Sequence, residues 1–189
     1  MAAFKGWDSW QIHDEAGCRK YLNSAERTRF LSAADRLPPQ MRALCHVLAY
    51  SGCRISEALG LTIVHVDTER LTVTVKTLKR RRLIFRAVPV PQAMVDMLLN
   101  LPIDDAGRFW TLHRVTAWRL VKATMERAGI AGPMACPKGL RHGFGVRAAG
   151  HNVPPNLIQR WMGHASPTTT AIYLNVVGIE ERQFASRMW

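Results

Sequence analysis

Three short stretches of this sequence gather cations, histidine and tyrosine, side chains able to bind phosphate or exchange a proton. In the first, Lys76, Lys79, Arg80, Arg81, Arg82 and Arg86 fall within eleven residues, between two β-branched runs. On a basic strand tip such side chains reach phosphates or enter a groove; on a solvated loop the same charges would serve only to oppose edge-to-edge strand pairing. The second stretch is Pro137-Lys138-Gly139-Leu140-Arg141-His142, where Lys138 and Arg141 are three residues apart behind a proline suited to the first helical position. Two cations on one face of a helix start, beside its unpaired amides, can grip one phosphate. Either one alone reads more readily as a solvated surface cation. The third stretch runs from Trp161 to Tyr173: Gly163 can end one helix, and Ser166 with Pro167 can cap and open the next. That places His164 at a helix junction and Tyr173 about one and a half turns into the new helix. Singly, such a histidine is more often structural, and such a tyrosine a core residue with its hydroxyl satisfied.

The elements that must position these stretches follow from periodicity. Asn23-Ser24-Ala25-Glu26 predicts a capped helix start, continued by Phe30, Leu31, Ala34 and Leu37 until Pro38-Pro39. A second helix is expected from about Met41 to Tyr50, with Leu44, Val47 and Leu48 on one stripe and Ser51-Gly52 at its end. Arg54 to Leu59 is again helical. From Leu71 the period changes to two, and residues 63–90 read as a small antiparallel sheet with Lys79-Arg80-Arg81-Arg82 at its tip. Helical patterns return at 94–99, 115–128, 139–149, 156–162 and 168–177. The expected fold is mainly α with a small antiparallel β-sheet, an α+β architecture. Residues 1–22 lack clear periodicity and read as an N-terminal extension or linker remnant; residues 23–189 read as one domain with a C-terminal tail.

Composition narrows the class of partner. Of the 189 residues, 26 are Lys or Arg and 14 Asp or Glu, a net charge of +12 with a pI near 10.4. With 48% hydrophobic and only 21% charged residues, the chain can build a core, which excludes a largely disordered basic tail. The charge therefore decorates a folded body and attracts polyanions, whether DNA, RNA or an anionic membrane surface. Cys18, Cys45, Cys53 and Cys136 form no CxxC pair or Cys/His knuckle, so no zinc site is expected. No apolar run approaches the roughly 18 residues needed to cross a bilayer, and the start lacks a signal peptide's apolar segment. The expectation is a cytosolic protein with reduced thiols.

The order in which the stretches occur says more than any one of them. Ser51-Gly52-Cys53-Arg54-Ile55-Ser56-Glu57-Ala58-Leu59, a lysine-bearing hairpin, Lys138-Gly139-Leu140-Arg141-His142-Gly143-Phe144, then Met162-Gly163-His164 and Tyr173 resemble the tyrosine recombinase (phage integrase) family, over about residues 23–185. The nine-residue step from His164 to Tyr173 matches the family's spacing. The resemblance implies the tyrosine recombinase catalytic-domain fold. It also implies site-specific DNA cleavage and rejoining, as in integration, inversion or resolution, through a 3′-phosphotyrosine intermediate. By position, Arg54 and Arg141 would be the catalytic arginines, Lys79 the hairpin lysine with Lys76 the alternative, His164 the later histidine, Tyr173 the nucleophile and Glu57 the acid supporting Arg54. Lys138 stands where the family usually has histidine. It can donate a hydrogen bond to a phosphate oxygen but is a poor proton acceptor near neutral pH.

These residue types suit that chemistry. A phenol with a pKa near 10 needs cations or a proton acceptor to attack at neutral pH. Planar arginine forks match the charge growing on nonbridging oxygens, and a lysine can protonate the leaving 5′ oxygen. Lys76, Arg80, Arg81 and Arg82 would add DNA contacts. No cofactor and no catalytic metal are implied. The implied partners are double-stranded DNA, a homo-tetramer on two DNA sites and accessory DNA-bending proteins, with no membrane, in the cytoplasm on the nucleoid. Phe184, Met188 and Trp189 in the tail can dock on a neighbour or pack back on their own domain. Most relatives carry a helical clamp domain ahead of the catalytic one, so the chain is either a stand-alone catalytic domain or a piece of a longer protein. Two alternatives stand beside the enzyme: a non-cleaving DNA-binding module of the same fold, and a basic RNA- or ribosome-associated protein.

Overall fold

In the computed structural model, residues 12–77, 84–174, 186 and 188 are described. Helix α1 (Ser24–Ala34) begins at Asn23, whose side chain accepts the Glu26 amide while the Glu26 carboxylate accepts the Asn23 amide, so both ends of the capping box are closed. Pro38-Pro39 ends that run and opens α2 (Pro39–Ser51). Ala43 to Ala49 are all buried, which makes α2 the central helix, touched by α1, α4 (Gln92–Leu99) and α6 (Pro137–Gly150). Gly52 closes α2 in the left-handed conformation, and α3 (Ile55–Leu59) follows after two residues.

A 3-10 turn at Ile63–His65 leads into the sheet, whose strands β1 (Val66–Asp67), β2 (Thr72–Thr77) and β3 (Ile84–Pro89) lie antiparallel in that order. The register pairs Val73 with Val88 and Val75 with Arg86. Alternation then sends Val73, Val75, Thr77, Arg86 and Val88 to the buried face, and Lys76 with Phe85 to the other. The expected segment 63–90 is thus a sheet preceded by a helical turn, with a two-residue strand too short to show a period. The tip residues Lys79, Arg80, Arg81 and Arg82 lie outside the described residues.

Helix α5 (Arg114–Arg127) packs on α1 and α3, and α6 is followed by α7 (Pro155–Met162) and α8 (Thr168–Leu174), both of which pack on it. Residues 175–177, expected to prolong the last helix, lie outside the described residues, as do Phe184 and Trp189; Met188 is exposed. Chain order begins ahead of Asn23. Ile12 and Leu22 are buried, and the Leu22 amide donates to the Gly139 carbonyl, tying this segment to α6. The four cysteines are free thiols, two of them buried. Among the described residues no helix is long and apolar enough to cross a membrane.

Candidate active site

Four elements meet around Tyr173. Arg54 caps α3 at its N-terminus, where Glu57 three residues on accepts its backbone amide at 2.9 Å and its Nη1 at 2.9 Å. The Glu57 side chain is fully buried, whereas that of Arg54 keeps 22% of its surface exposed. Burial alone would raise the Glu57 carboxyl, but the guanidinium of Arg86, then that of Arg54, outweighs it and holds the group ionised below the usual carboxylate range.

Arg141 lies in the first half of α6 and turns inward. Its Nη1 donates to the Gly52 carbonyl at 2.7 Å and its Nη2 to the Met162 carbonyl at 2.6 Å, joining the ends of α2 and α7. Burial, followed by the charge of Arg54, lowers it to about 10, so it stays a cation at neutral pH. Lys138, expected on the same face, is exposed in the first turn while Arg141 is buried.

Tyr173 on α8 is 1% exposed. Its hydroxyl meets His142 Nδ1 at 2.9 Å, and its ring stacks on His164 with centroids 6.0 Å apart and planes 18° apart. The ring also lies against α6 at Gly145, where a Cβ would come within 2.8 Å of three ring carbons; that contact is what requires glycine there. Burial pushes the phenol up to about 12, against the pull of Arg141 and Arg54. His164 Nδ1 lies 2.9 Å from the Thr170 hydroxyl, one turn ahead of Tyr173 on α8. Burial and then the Arg141 and Arg54 charges push His164 down to about 3; burial and then Lys138 and Arg141 do the same to His142. Both imidazoles are therefore neutral at physiological pH.

Arg54, Glu57, Arg141, His164 and Tyr173 thus lie in one neighbourhood. Lys76 sits exposed on β2, on the sheet face shared with Phe85 and His65, opposite to the face that carries Arg86. Two residues at the site went unassigned in the sequence. Arg86 was grouped with the basic tip, yet it is 5% exposed and bonded to Glu57; the β3 alternation, which puts it in line with buried Val88, was the available signal. His142 follows Arg141 directly and is buried with it, and no spacing marked it as the hydroxyl's partner. A cleft of about 270 Å³ opens beside this group, lined by Thr77, Arg86, Gln159, Arg160, Gly163 and His164 among others. Among the described residues no cluster of three or more His, Cys, Asp or Glu is placed to hold a metal ion.

A mainly helical chain with a small three-stranded antiparallel sheet is the fold of a tyrosine recombinase catalytic domain. The chain belongs to the phage integrase family, whose model matches residues 20–178. It is 33% identical over 154 residues to tyrosine recombinase XerD of Corynebacterium glutamicum, an alignment covering 75% of this chain and 50% of that protein. The chain spans about half the length of such curated relatives. Its fold superposes on the crystal structure of XerA recombinase with a TM-score of 0.74 at 26% identity, over 89% of this chain and 64% of the other. It likewise matches XerH site-specific recombinase bound to difH substrate in a pre-cleavage complex, with a TM-score of 0.74 at 21% identity, over 94% and 59%.

Proposed function

We propose that this chain is the catalytic domain of a site-specific recombinase that cuts and rejoins duplex DNA through a 3′-phosphotyrosine. The observation that carries this reading is the Tyr173 hydroxyl, set among two histidines and within the field of Arg141 and Arg54. In the proposed step the Tyr173 oxygen attacks the scissile phosphorus and gives its proton to water, the bond from phosphorus to the 5′ oxygen breaks, and that oxygen takes a proton from the hairpin lysine. Arg54 and Arg141 stabilise charge on the nonbridging oxygens. His164, and Lys138 as a donor, contact the phosphate, and Lys79, with Lys76 as the alternative, supplies the proton to the leaving oxygen. Attack by a second strand's 5′ hydroxyl reverses the sequence and releases Tyr173, so the strand is exchanged without external energy.

Double-stranded DNA is the substrate in this reading, which the likeness to recombinases solved with their DNA substrates supports. Arg80, Arg81 and Arg82 add phosphate contacts, a homo-tetramer holds two sites, DNA-bending proteins assist, and the work takes place on the nucleoid. Residues 1–22 are an N-terminal extension or linker remnant of the catalytic domain of 23–189, and Ile12 and Leu22 pack onto that domain. The burial of Tyr173, together with Lys138 in place of histidine, favours a second reading, a non-cleaving DNA-binding module of the same fold.

Covalent trapping separates the two. Nicked duplexes from the genetic neighbourhood of the gene, incubated with the protein and run on a denaturing gel, should give a shifted protein–DNA band that Tyr173→Phe abolishes. Tight duplex binding with no band on any neighbouring DNA would favour the non-cleaving module.

A further inference from the structure

Arg86 binds three elements at once and has almost no surface left for DNA. Its side chain is 3% exposed. Nη2 donates to Glu57 Oε2 at 2.6 Å, Nη1 to the Thr77 hydroxyl at 2.8 Å, and Nε to the Trp161 carbonyl at 2.7 Å, so one planar fork ties α3, β2 and the end of α7 to its own strand, β3. A lysine has the charge but not the fixed divergent donors for this set.

We propose that Arg86 is a positioning residue for the phosphate-binding group, setting Arg54 through Glu57 and His164 through the Gly163 turn. Its purpose rests on the recombinase reading above. Glu57 has two oxygens: Arg86 occupies Oε2, which also accepts the Arg54 backbone amide, while Arg54 reaches Oε1 through Nη1 alone. Without Arg86, the Glu57 carboxylate would be open to a bidentate fork from Arg54, the geometry arginine prefers with carboxylates. That fork would consume donors Arg54 needs for a phosphate. With Oε2 taken, Arg54 is anchored at one point.

The second arm of the argument is at Gly163, which has φ of +65°, and where a Cβ would lie 3.0 Å from the Arg86 guanidinium carbon. Arg86 packs directly under the turn that sets the direction of His164, and bonds the carbonyl two residues before it. Because Arg86 also holds Thr77 at the end of β2, where the chain enters the basic tip, the hairpin and the arginine–histidine group share one anchor.

Arg86→Lys and Thr77→Val in the full chain test this by two routes. Without DNA, arginine side-chain Nε resonances are recorded by nitrogen-15 NMR, with Arg54 assigned from its loss in Arg54→Lys. Arg86→Lys should shift the Arg54 signal, and Thr77→Val should shift it less. With DNA, Arg86→Lys should lower the covalent Tyr173–DNA rate at saturating duplex about tenfold or more, with DNA affinity changed less than about threefold. Thr77→Val, which keeps the Glu57 pair, should lower that rate about threefold without lowering the unfolding midpoint. An unmoved Arg54 signal in both variants, or a rate that falls only in step with the folded fraction, overturns the proposal. If the wild type forms no covalent product on any duplex, the recombinase reading fails, while the Arg54 signal still decides whether Arg86 positions it.

Discussion

At the scale of single residues, the surroundings of Tyr173 keep its proton in place. A phenol pushed up to about 12 facing an imidazole pushed down to about 3 does not hand over its proton in this arrangement, so His142 holds the hydroxyl rather than activating it. In the proposed cleavage, the Tyr173 hydroxyl would have to give up this contact with His142. The two histidines also make stability depend on acidity. In the unfolded chain both titrate near 6.5, in the folded chain near 3, so between those values the unfolded chain binds more protons. Stability is therefore full above pH 6.5 and falls as pH drops towards 3, with a limiting slope of about 1.4 kcal/mol per pH unit for each histidine. The urea midpoint should fall between pH 7 and pH 5, and fall less in His142→Asn, whose amide occupies the place of Nδ1. An equal fall in both proteins would mean that His142 is protonated in the native state.

At the scale of elements, α6 places the site through residues that weaken it as a helix. Gly145 costs helix propensity relative to alanine, about 0.5–1 kcal/mol, and in return the Tyr173 ring comes to within contact of the backbone. Gly145→Ala restores the propensity but drives a methyl group to 2.8 Å from three ring carbons in a fully packed position. Overpacking costs typically 1–3 kcal/mol, so the net effect should be destabilising. A thermal unfolding midpoint lower by several degrees is expected, and a raised one would mean that α8 shifts freely away from α6. The same helix shows what the sequence made legible. Pro137 at its start, Gly52 and Gly163 at the ends of α2 and α7, and the Asn23 box at α1 are local signals, and each element stands within a few residues of its expected place. Contacts between distant segments were not legible: the docking of Leu22 on Gly139, the two residues of β1, and the inward turn of Arg141 away from Lys138 depend on packing that no spacing encodes. Arg86 lies between these cases, since alternation along β3 pointed it inward while its neighbourhood of cations suggested a solvated tip.

At the scale of the whole molecule, the charge balance divides into two populations. Several acidic residues are tied to nearby arginines, as in Glu26 with Arg19, Asp35 with Arg42, Asp104 with Arg108, and Glu57 with both Arg54 and Arg86. The acids so engaged hold cations in place within the fold, and most of the excess of +12 belongs to the remaining lysines and arginines. Binding of duplex DNA should accordingly be steeply salt-dependent, because each phosphate neutralised releases counterions and contributes about −0.9 to the slope of log K against log salt. Replacing Arg80, Arg81 and Arg82 together by alanine should flatten that slope by about two to three, if each contacts a phosphate. Arg86→Lys should leave the slope unchanged, because its buried side chain already has carboxylate, hydroxyl and carbonyl partners. Titrations of one labelled duplex between about 50 and 200 mM salt read all three proteins on the same scale. A triple variant with the wild-type slope would assign the hairpin charges to solvent and edge protection, and would move the DNA surface to the cations of the helices.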